Sequence, residues 1–148
     1  PKMAPTQSVA STPSGEPSEE TPTPGPVETV RAWIDARNRA MASGDTSAVE
    51  ALTLRGCESC YGLIDPIKDA YDAGGYFRTE GWRVVRAQVR SNRPDRARVN
   101  TAVRIAGGRT LSEAGGEPVV YPPDKRLVVF KLTRGDDGWL VSFTGFLS

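Results

Sequence analysis

The hydrophobic period of this chain changes once, and that change constrains the fold more than any other feature. Between Pro26 and Ala73 apolar residues recur at spacings of three, four and seven, which is typical of amphipathic helices. From Trp82 onward apolar and polar residues alternate, which is typical of half-buried strands. Helices therefore precede strands. This order predicts an α+β fold in which the helices pack on one face of an antiparallel sheet.

Three helices are predicted. The first spans residues 26–43, and the second is short and begins after Asp45, which is a good N-cap residue. The third spans residues 58–73, and Gly74-Gly75 ends it. Pro66 lies inside the third helix, so either the helix is kinked there or Asp65 caps a fresh start with proline in its first turn.

The strands follow after Gly75, with turns rich in glycine, proline, asparagine and aspartate between them. Residues 115–124 are predicted as a loop. The predicted strands span residues 82–90, 98–105, 110–113, 127–132 and 139–146.

Residues 1–26 are predicted to be a disordered leash, and residues 27–148 a single domain. The leash has seven prolines, many serines and threonines and no aromatic residue, so it lacks the apolar surface needed to fold. The domain carries a net charge of only about +3, which does not require nucleic acid as a partner. No apolar run approaches the roughly 20 residues of a membrane-spanning helix.

Cys57 and Cys60 are the only cysteines and have C-x-x-C spacing, which is compatible with a local disulfide, a redox pair or half of a zinc site. The chain has no histidine and no second cysteine pair to complete a zinc site. A thioredoxin-type motif requires a strand before the cysteine pair, and no strand is predicted there. The favoured interpretation is a disulfide that closes the first turn of the third helix in an oxidising compartment. No metal or cofactor is predicted.

The order of these features resembles a known family. A helix, a short capped helix, a C-x-x-C motif opening a third helix, Gly74-Gly75 and then Trp82 are similar to actinobacterial lipoproteins of unknown function with an NTF2-like, cystatin-like cone fold. The resemblance implies export and a lipid-anchored cysteine ahead of Pro1, with the leash as tether. It brings no catalytic residues. A second resemblance is to the NTF2-like domain that precedes the transpeptidase of some penicillin-binding proteins.

NTF2-like cones often have a pocket between the helices and the sheet. Arg37 is expected either to hold a carboxylate ligand or, preferably, to pair with a neighbouring acid. An aspartate beside a tyrosine would allow isomerase-type proton transfer, although Asp65 and Asp69 also fit solvent-facing or capping positions. The candidate pocket residues are Trp33, Arg37, Tyr61, Asp65 and Tyr71.

Residues 78–98 contain seven arginines against two acids. Arg86 and Arg90 share a strand face, and Arg83 joins them only if a bulge lies near Val84-Val85. These three arginines are candidates for anion binding, although a solvated sheet face explains them equally simply. No aromatics are interleaved with them to stack bases.

The leading hypothesis is a non-enzymatic, extracytoplasmic, surface-tethered lipoprotein domain. It would bind or scaffold a cell-envelope component such as an anionic polymer, lipid headgroups or an envelope protein, and it would touch a membrane only through an anchor outside this chain. The alternative is a small-molecule pocket, with or without isomerase- or hydrolase-like activity, inside the cone. An open cavity lined by arginine with aspartate or tyrosine would favour the alternative.

Overall fold

The computed structural model describes residues 23–147, so nearly all of the predicted leash lies outside the described residues. Three helices come first: α1 (Pro26–Ser43), α2 (Ser47–Ala51) and α3 (Glu58–Asp72). None of them has the length and apolarity of a membrane span. Seven strands follow: β1 (Tyr76–Thr79), β2 (Trp82–Asn92), β3 (Arg96–Ile105), β4 (Gly108–Leu111), β5 (Val119–Tyr121), β6 (Asp124–Gly135) and β7 (Gly138–Phe146).

Helix α1 has clear start and stop signals. The carboxylate of Glu28 accepts the backbone N–H of Gly25 at 3.1 Å, which satisfies a donor that the first turn leaves unpaired. At the other end Gly44 has a φ of 84°, a left-handed conformation that favours glycine, and its N–H donates to the carbonyl of Ala40. The helix buries one apolar stripe, which includes Val30, Trp33, Ile34 and Met41.

Helix α3 runs without interruption through Pro66. Of the two alternatives that the sequence left open, the fresh start at Asp65 is therefore wrong, and the carboxylate of Asp65 is exposed on the helix surface. The buried face of α3 consists of Cys60, Ile64, Ile67 and Ala70.

The main sheet has four antiparallel strands in the order β2-β3-β6-β7. Its inner face packs against α1, and the centre of this core is the ring of Phe130, which meets the indole of Trp33 edge-on at a centroid distance of 5.5 Å. β2 carries two register shifts, one between Val84 and Arg86 and one between Val89 and Ser91. The first lies at Val84-Val85, where a bulge is the condition for Arg83 to share a face with Arg86. Such bulges bend and twist a strand.

A second sheet of three short antiparallel strands, in the order β1-β4-β5, lies beside the first. Strands β1 and β5 were not predicted, because runs of four and three residues are too short for a period of two to stand out. The prediction of a loop over residues 115–124 is therefore wrong at Val119–Tyr121, which forms β5. This second sheet contributes to the candidate site described below.

The outer edge of β7 is covered by the segment between α2 and α3. The N–H of Leu54 donates to the carbonyl of Val141, and the N–H of Val141 donates to the carbonyl of Leu52, both at 2.8 Å. Together these two bonds make a one-residue parallel bridge, Thr53 to Val141.

The predicted disulfide between Cys57 and Cys60 is present. Both cysteines are buried in the core at the start of α3. Next to them, the hydroxyl of Ser59 accepts the backbone N–H of Thr144 in β7 at 3.0 Å. The disulfide thus constrains the first turn of α3, and the Ser59 hydrogen bond attaches that turn to the main sheet.

Candidate functional site

A cavity of about 240 Å³ opens where α1 meets both sheets. Helix α1, the three strands of the small sheet and the adjoining ends of β2 and β3 all contribute side chains. The cavity is lined by Arg37, Met41, Phe77, Thr79, Gly81, Trp82, Ile105, Ala106, Thr110 and Tyr121. Arg37 is the one charged side chain in this lining.

The guanidinium of Arg37 is nearly desolvated. Its Nε–H donates to the carbonyl of Leu63 at 2.8 Å, and its central carbon lies 4.8 Å from the centroid of the Trp82 ring. Its Nη1 has no hydrogen-bond partner among the described residues and is shielded from solvent. The sequence favoured an ion pair between Arg37 and a neighbouring acid. No such pair forms within residues 23–147, where the salt bridge joins Arg126 and Asp124.

Burial lowers the pKa of Arg37 to about 10, because a cation loses hydration that the surrounding side chains only partly replace. The neighbouring Tyr121 acts weakly in the opposite direction, since an ionised phenol would favour the cation. At neutral pH the side chain therefore remains charged. An unpaired charge of this kind is costly inside a protein.

Asn38 holds the backbone of Trp82, whose indole lies beneath Arg37. The side-chain amide of Asn38 donates to the backbone carbonyl of Trp82 at 2.7 Å and accepts the backbone N–H of Trp82 at 2.9 Å. Gly81 has a φ of 84°, and a Cβ there would clash with the Asn38 side chain. Glycine at this position lets α1 and the start of β2 approach closely enough for the two bonds.

The other four predicted pocket residues do not line this cavity. The indole Nε1–H of Trp33 donates to the Thr53 hydroxyl at 2.9 Å in the core, and the hydroxyl of Tyr71 donates to the carbonyl of Met41 at 2.6 Å. Tyr61 packs against the core from α3, and Asp65 faces solvent. These residues were misplaced because helical spacing gives a face but not the depth at which the face meets the sheet.

The sequence reasoning missed Tyr121, Thr79 and Thr110, which supply the hydroxyls of the cavity. They lie on the three short strands of the second sheet. The one available signal was Val119-Val120-Tyr121, a β-branched and aromatic run directly before two prolines.

The outer face of the main sheet carries the other candidate feature. Register and alternation place seven exposed cations on it, with Arg90 exposed at the second bulge of β2 beside them. Among the described residues, the acids that border this face are Glu80 and Asp124, at the end of the sheet where β2 begins. We call it the basic face, and its cations are Arg83, Arg86, Arg90, Arg96, Arg98, Arg104, Lys125 and Lys131.

Several of these cations lie directly opposite one another. Arg83 pairs with Arg104, and Arg104 pairs with Lys125, so three like charges form a row across β2, β3 and β6. Arg98 and Lys131 form a second row. Like charges directly opposite in a sheet are destabilising.

Each row borders a surface concavity. The row of three lines a groove of about 860 Å³ together with Glu80 and Asp124. The second row lines a cleft of about 540 Å³ together with Arg93, Arg96, Ser91, Thr133 and Ser142. Arg104 lies six positions after Arg98 in β3, so the rows are roughly 20 Å apart. Arg83 and Arg86 share the outer face because of the first bulge, as the sequence required.

No protein-family model matches the chain, and no curated protein matches its sequence. Among solved structures, the intermembrane-space region of the chloroplast protein ARC6 is 13% identical with a TM-score of 0.58, over 81% of this chain and 92% of that chain. Aln2 from a Streptomyces species is 14% identical with a TM-score of 0.51, over 84% of this chain and 93% of that chain.

An NTF2-like protein with a cystatin-like fold from Novosphingobium aromaticivorans is 14% identical with a TM-score of 0.46, over 81% of this chain and 79% of that chain. Identities this low concern the fold alone. The narrower resemblance to actinobacterial lipoproteins stays a prediction. The predicted fold class is confirmed: the chain is α+β, with N-terminal helices packed on antiparallel sheets.

Proposed function

We propose that this chain is the non-enzymatic, extracytoplasmic domain of a lipid-anchored protein, and that it binds an anionic polymer of the cell envelope through the basic face. The observation that carries the proposal is the outer face of the main sheet, which has eight cations, while two acids, Glu80 and Asp124, border one of its concavities. Opposed like charges cost stability. An anionic partner would remove that cost on binding.

The arrangement of the cations favours a flexible polymer over a flat surface. Two cationic rows lie roughly 20 Å apart on a sheet whose strands are bent by bulges. A chain that bears repeated phosphate or carboxylate groups follows such a surface from one concavity to the next. Between the rows lie Arg86 on β2 and uncharged residues on β3 and β6, namely Asn100, Ala102, Leu127 and Val129.

Two further observations support the rest of the proposal. The Cys57–Cys60 disulfide suits an oxidising compartment outside the cytoplasm. The cavity around Arg37 also contains Tyr121, a combination that favours the small-molecule alternative, but its described lining has no carboxylate or thiol to act as the base or nucleophile of an isomerase- or hydrolase-like reaction. The lipid anchor follows from the family resemblance.

The binding test uses long-chain polyphosphate and poly-L-glutamate as probes, with neutral dextran as the control polymer. We expect affinity for both polyanions to fall steeply as salt rises, because screening shortens to about 8 Å at physiological ionic strength. Vesicles containing phosphatidylglycerol test the membrane alternative. Binding to vesicles with none to either polyanion would contradict the proposal.

The variant that tests the surface is Arg86→Gln combined with Arg98→Gln. Both side chains are exposed on the basic face, so the fold should be spared. The matched control is Arg31→Gln with Arg39→Gln, which removes two exposed cations from α1. We expect the first pair to weaken binding at least tenfold and the control pair to have little effect. Equal losses would reduce the interaction to net charge.

Export and anchoring are tested separately on the full-length protein in its native host. Incorporation of a labelled fatty acid and sensitivity to external protease are the expected results. A labelled cytoplasmic fraction with reduced Cys57 and Cys60 would contradict this part of the proposal without touching the polymer-binding part.

A further inference from the structure

We propose that the cavity around Arg37 is a binding site for a small monocarboxylate with a short apolar body. The site lies between α1 and the two sheets, whereas the basic face lies on the outer side of the main sheet. The inference therefore does not rest on the proposed polymer binding.

The need for an anion comes from Arg37. Its Nε–H is used by Leu63, its ring-facing side is used by Trp82, and Nη1 is shielded from solvent without a partner among the described residues. A buried charged donor without an acceptor is a costly feature that native structures rarely keep without reason. A carboxylate brings one negative charge and two oxygens in the planar geometry that a guanidinium matches.

The number of charges selects the class of anion. Arg37 is the one charged residue in the lining, so a monoanion neutralises the site. A phosphate or a dicarboxylate would bring a second negative charge into a region with no second cation among the described lining residues. Such a ligand would lose hydration without compensation.

The walls select the rest of the ligand. The side chains of Met41, Phe77 and Ile105 make an apolar wall, and the hydroxyls of Thr110 and Tyr121 lie on the strands that close the other side. The volume of about 240 Å³ lies just below the range of roughly 300 to 1,000 Å³ for drug-sized ligands. The ligand is therefore small, with a few apolar carbons beside its carboxylate.

The test measures binding of butyrate and phenylacetate to the whole chain by calorimetry. Butyramide matches butyrate in shape without the charge, and inorganic phosphate supplies charge without the apolar body. We expect at least one carboxylate to bind and neither control to do so at the same concentration. Absence of binding by both carboxylates, or equal binding of butyramide, would overturn the inference.

Variants assign the binding to this cavity. Arg37→Met should reduce carboxylate affinity at least tenfold, whereas Arg39→Met, which removes an exposed cation from the same helix, should leave it unchanged. Thr110→Phe keeps Arg37 and fills the cavity, so it should also abolish binding. Butyrate should shift the NMR signal of the Arg37 Nε–H in the unmodified protein. Unchanged affinity in Arg37→Met would overturn the inference.

The tests of the cavity and of the basic face are independent of each other. Arg37→Met should bind polyphosphate as the unmodified protein does, and Arg86→Gln with Arg98→Gln should bind butyrate as the unmodified protein does. A loss of butyrate binding in the second variant would show that the carboxylate sits on the basic face, and would overturn the assignment to the cavity.

Discussion

Replacing Arg37 by methionine should make the domain more stable, even though the change removes a hydrogen bond and a cation–π contact. Desolvation lowers the pKa of Arg37 to about 10, and this shift from the ordinary pKa of an arginine corresponds to roughly 3 kcal/mol against the charged form in the folded state. Methionine fits the same unbranched volume and carries no charge.

Two favourable contacts offset part of that cost. The hydrogen bond from Nε–H to the Leu63 carbonyl contributes about 1 kcal/mol, and the contact with the Trp82 ring contributes about 1 kcal/mol more. The balance is a gain of roughly 1 kcal/mol for Arg37→Met. In a domain of this size that gain raises Tm by about 4 °C.

The pH dependence sharpens the test. The folded pKa of Arg37 lies below the unfolded one, so the charged form costs stability at every pH below about 10, and the cost disappears as pH rises from there toward the unfolded pKa. The advantage of Arg37→Met should therefore be constant across the neutral range and shrink only above a pH of about 10.

The assay is urea denaturation at several pH values, with Arg39→Met as the control for removal of an exposed cation. The control should change stability by under about 0.5 kcal/mol. A loss of more than about 1 kcal/mol in Arg37→Met would show that Arg37 is a well-paired structural residue and would refute the reasoning.

Three further outcomes are expected. Gly81→Ala should lower the free energy of unfolding by about 2 kcal/mol in urea titrations, because a left-handed φ combines with a steric clash; Gly115→Ala, with a similar φ of 81° and open space, should lose less. Replacing both Cys57 and Cys60 by serine should cost about 2 kcal/mol in the chain-entropy model, and an unchanged midpoint would contradict it. Hydrogen bonds from Ser47 lower the pKa of Asp45, so the Asp45 carboxylate stabilises the folded state above the unfolded pKa of 3.8, and this contribution is lost as pH falls below that value. The Asp45→Ala variant should therefore lose less stability on acidification than the unmodified protein, as measured by thermal melts at decreasing pH.

The helices and long strands could be predicted because their signals are local. The apolar stripe of α1 and the stop at Gly44 are both present in consecutive residues, and so are the alternating residues of β3. The effect of Pro66 on α3 could not be predicted. A proline inside a helix costs free energy, and whether packing of the helix offsets that cost depends on the tertiary structure.

The cavity could not be predicted, because its parts are brought together by pairing that is not local. Tyr121 lies far from Arg37 in the chain and on a strand of only three residues. Alternation on β2 placed Arg86 and Arg90 on one face, with Arg83 added only if a bulge lay near Val84-Val85. The cations opposite them on β3 and β6 depend on strand order and register, which a single sequence does not show.

The segment that covers the edge of β7 also affects the tendency of the protein to aggregate at high concentration. An uncovered sheet edge is a template for pairing with another chain, and here Leu52 and Leu54 already occupy the backbone groups of Val141. The opposite edge, β2, is interrupted by two bulges and lined with arginines, which discourages strand addition by shape and by repulsion. Because the Cys57–Cys60 disulfide holds the chain just after the covering segment, reduction would loosen that cover and leave β7 as the side from which aggregation begins.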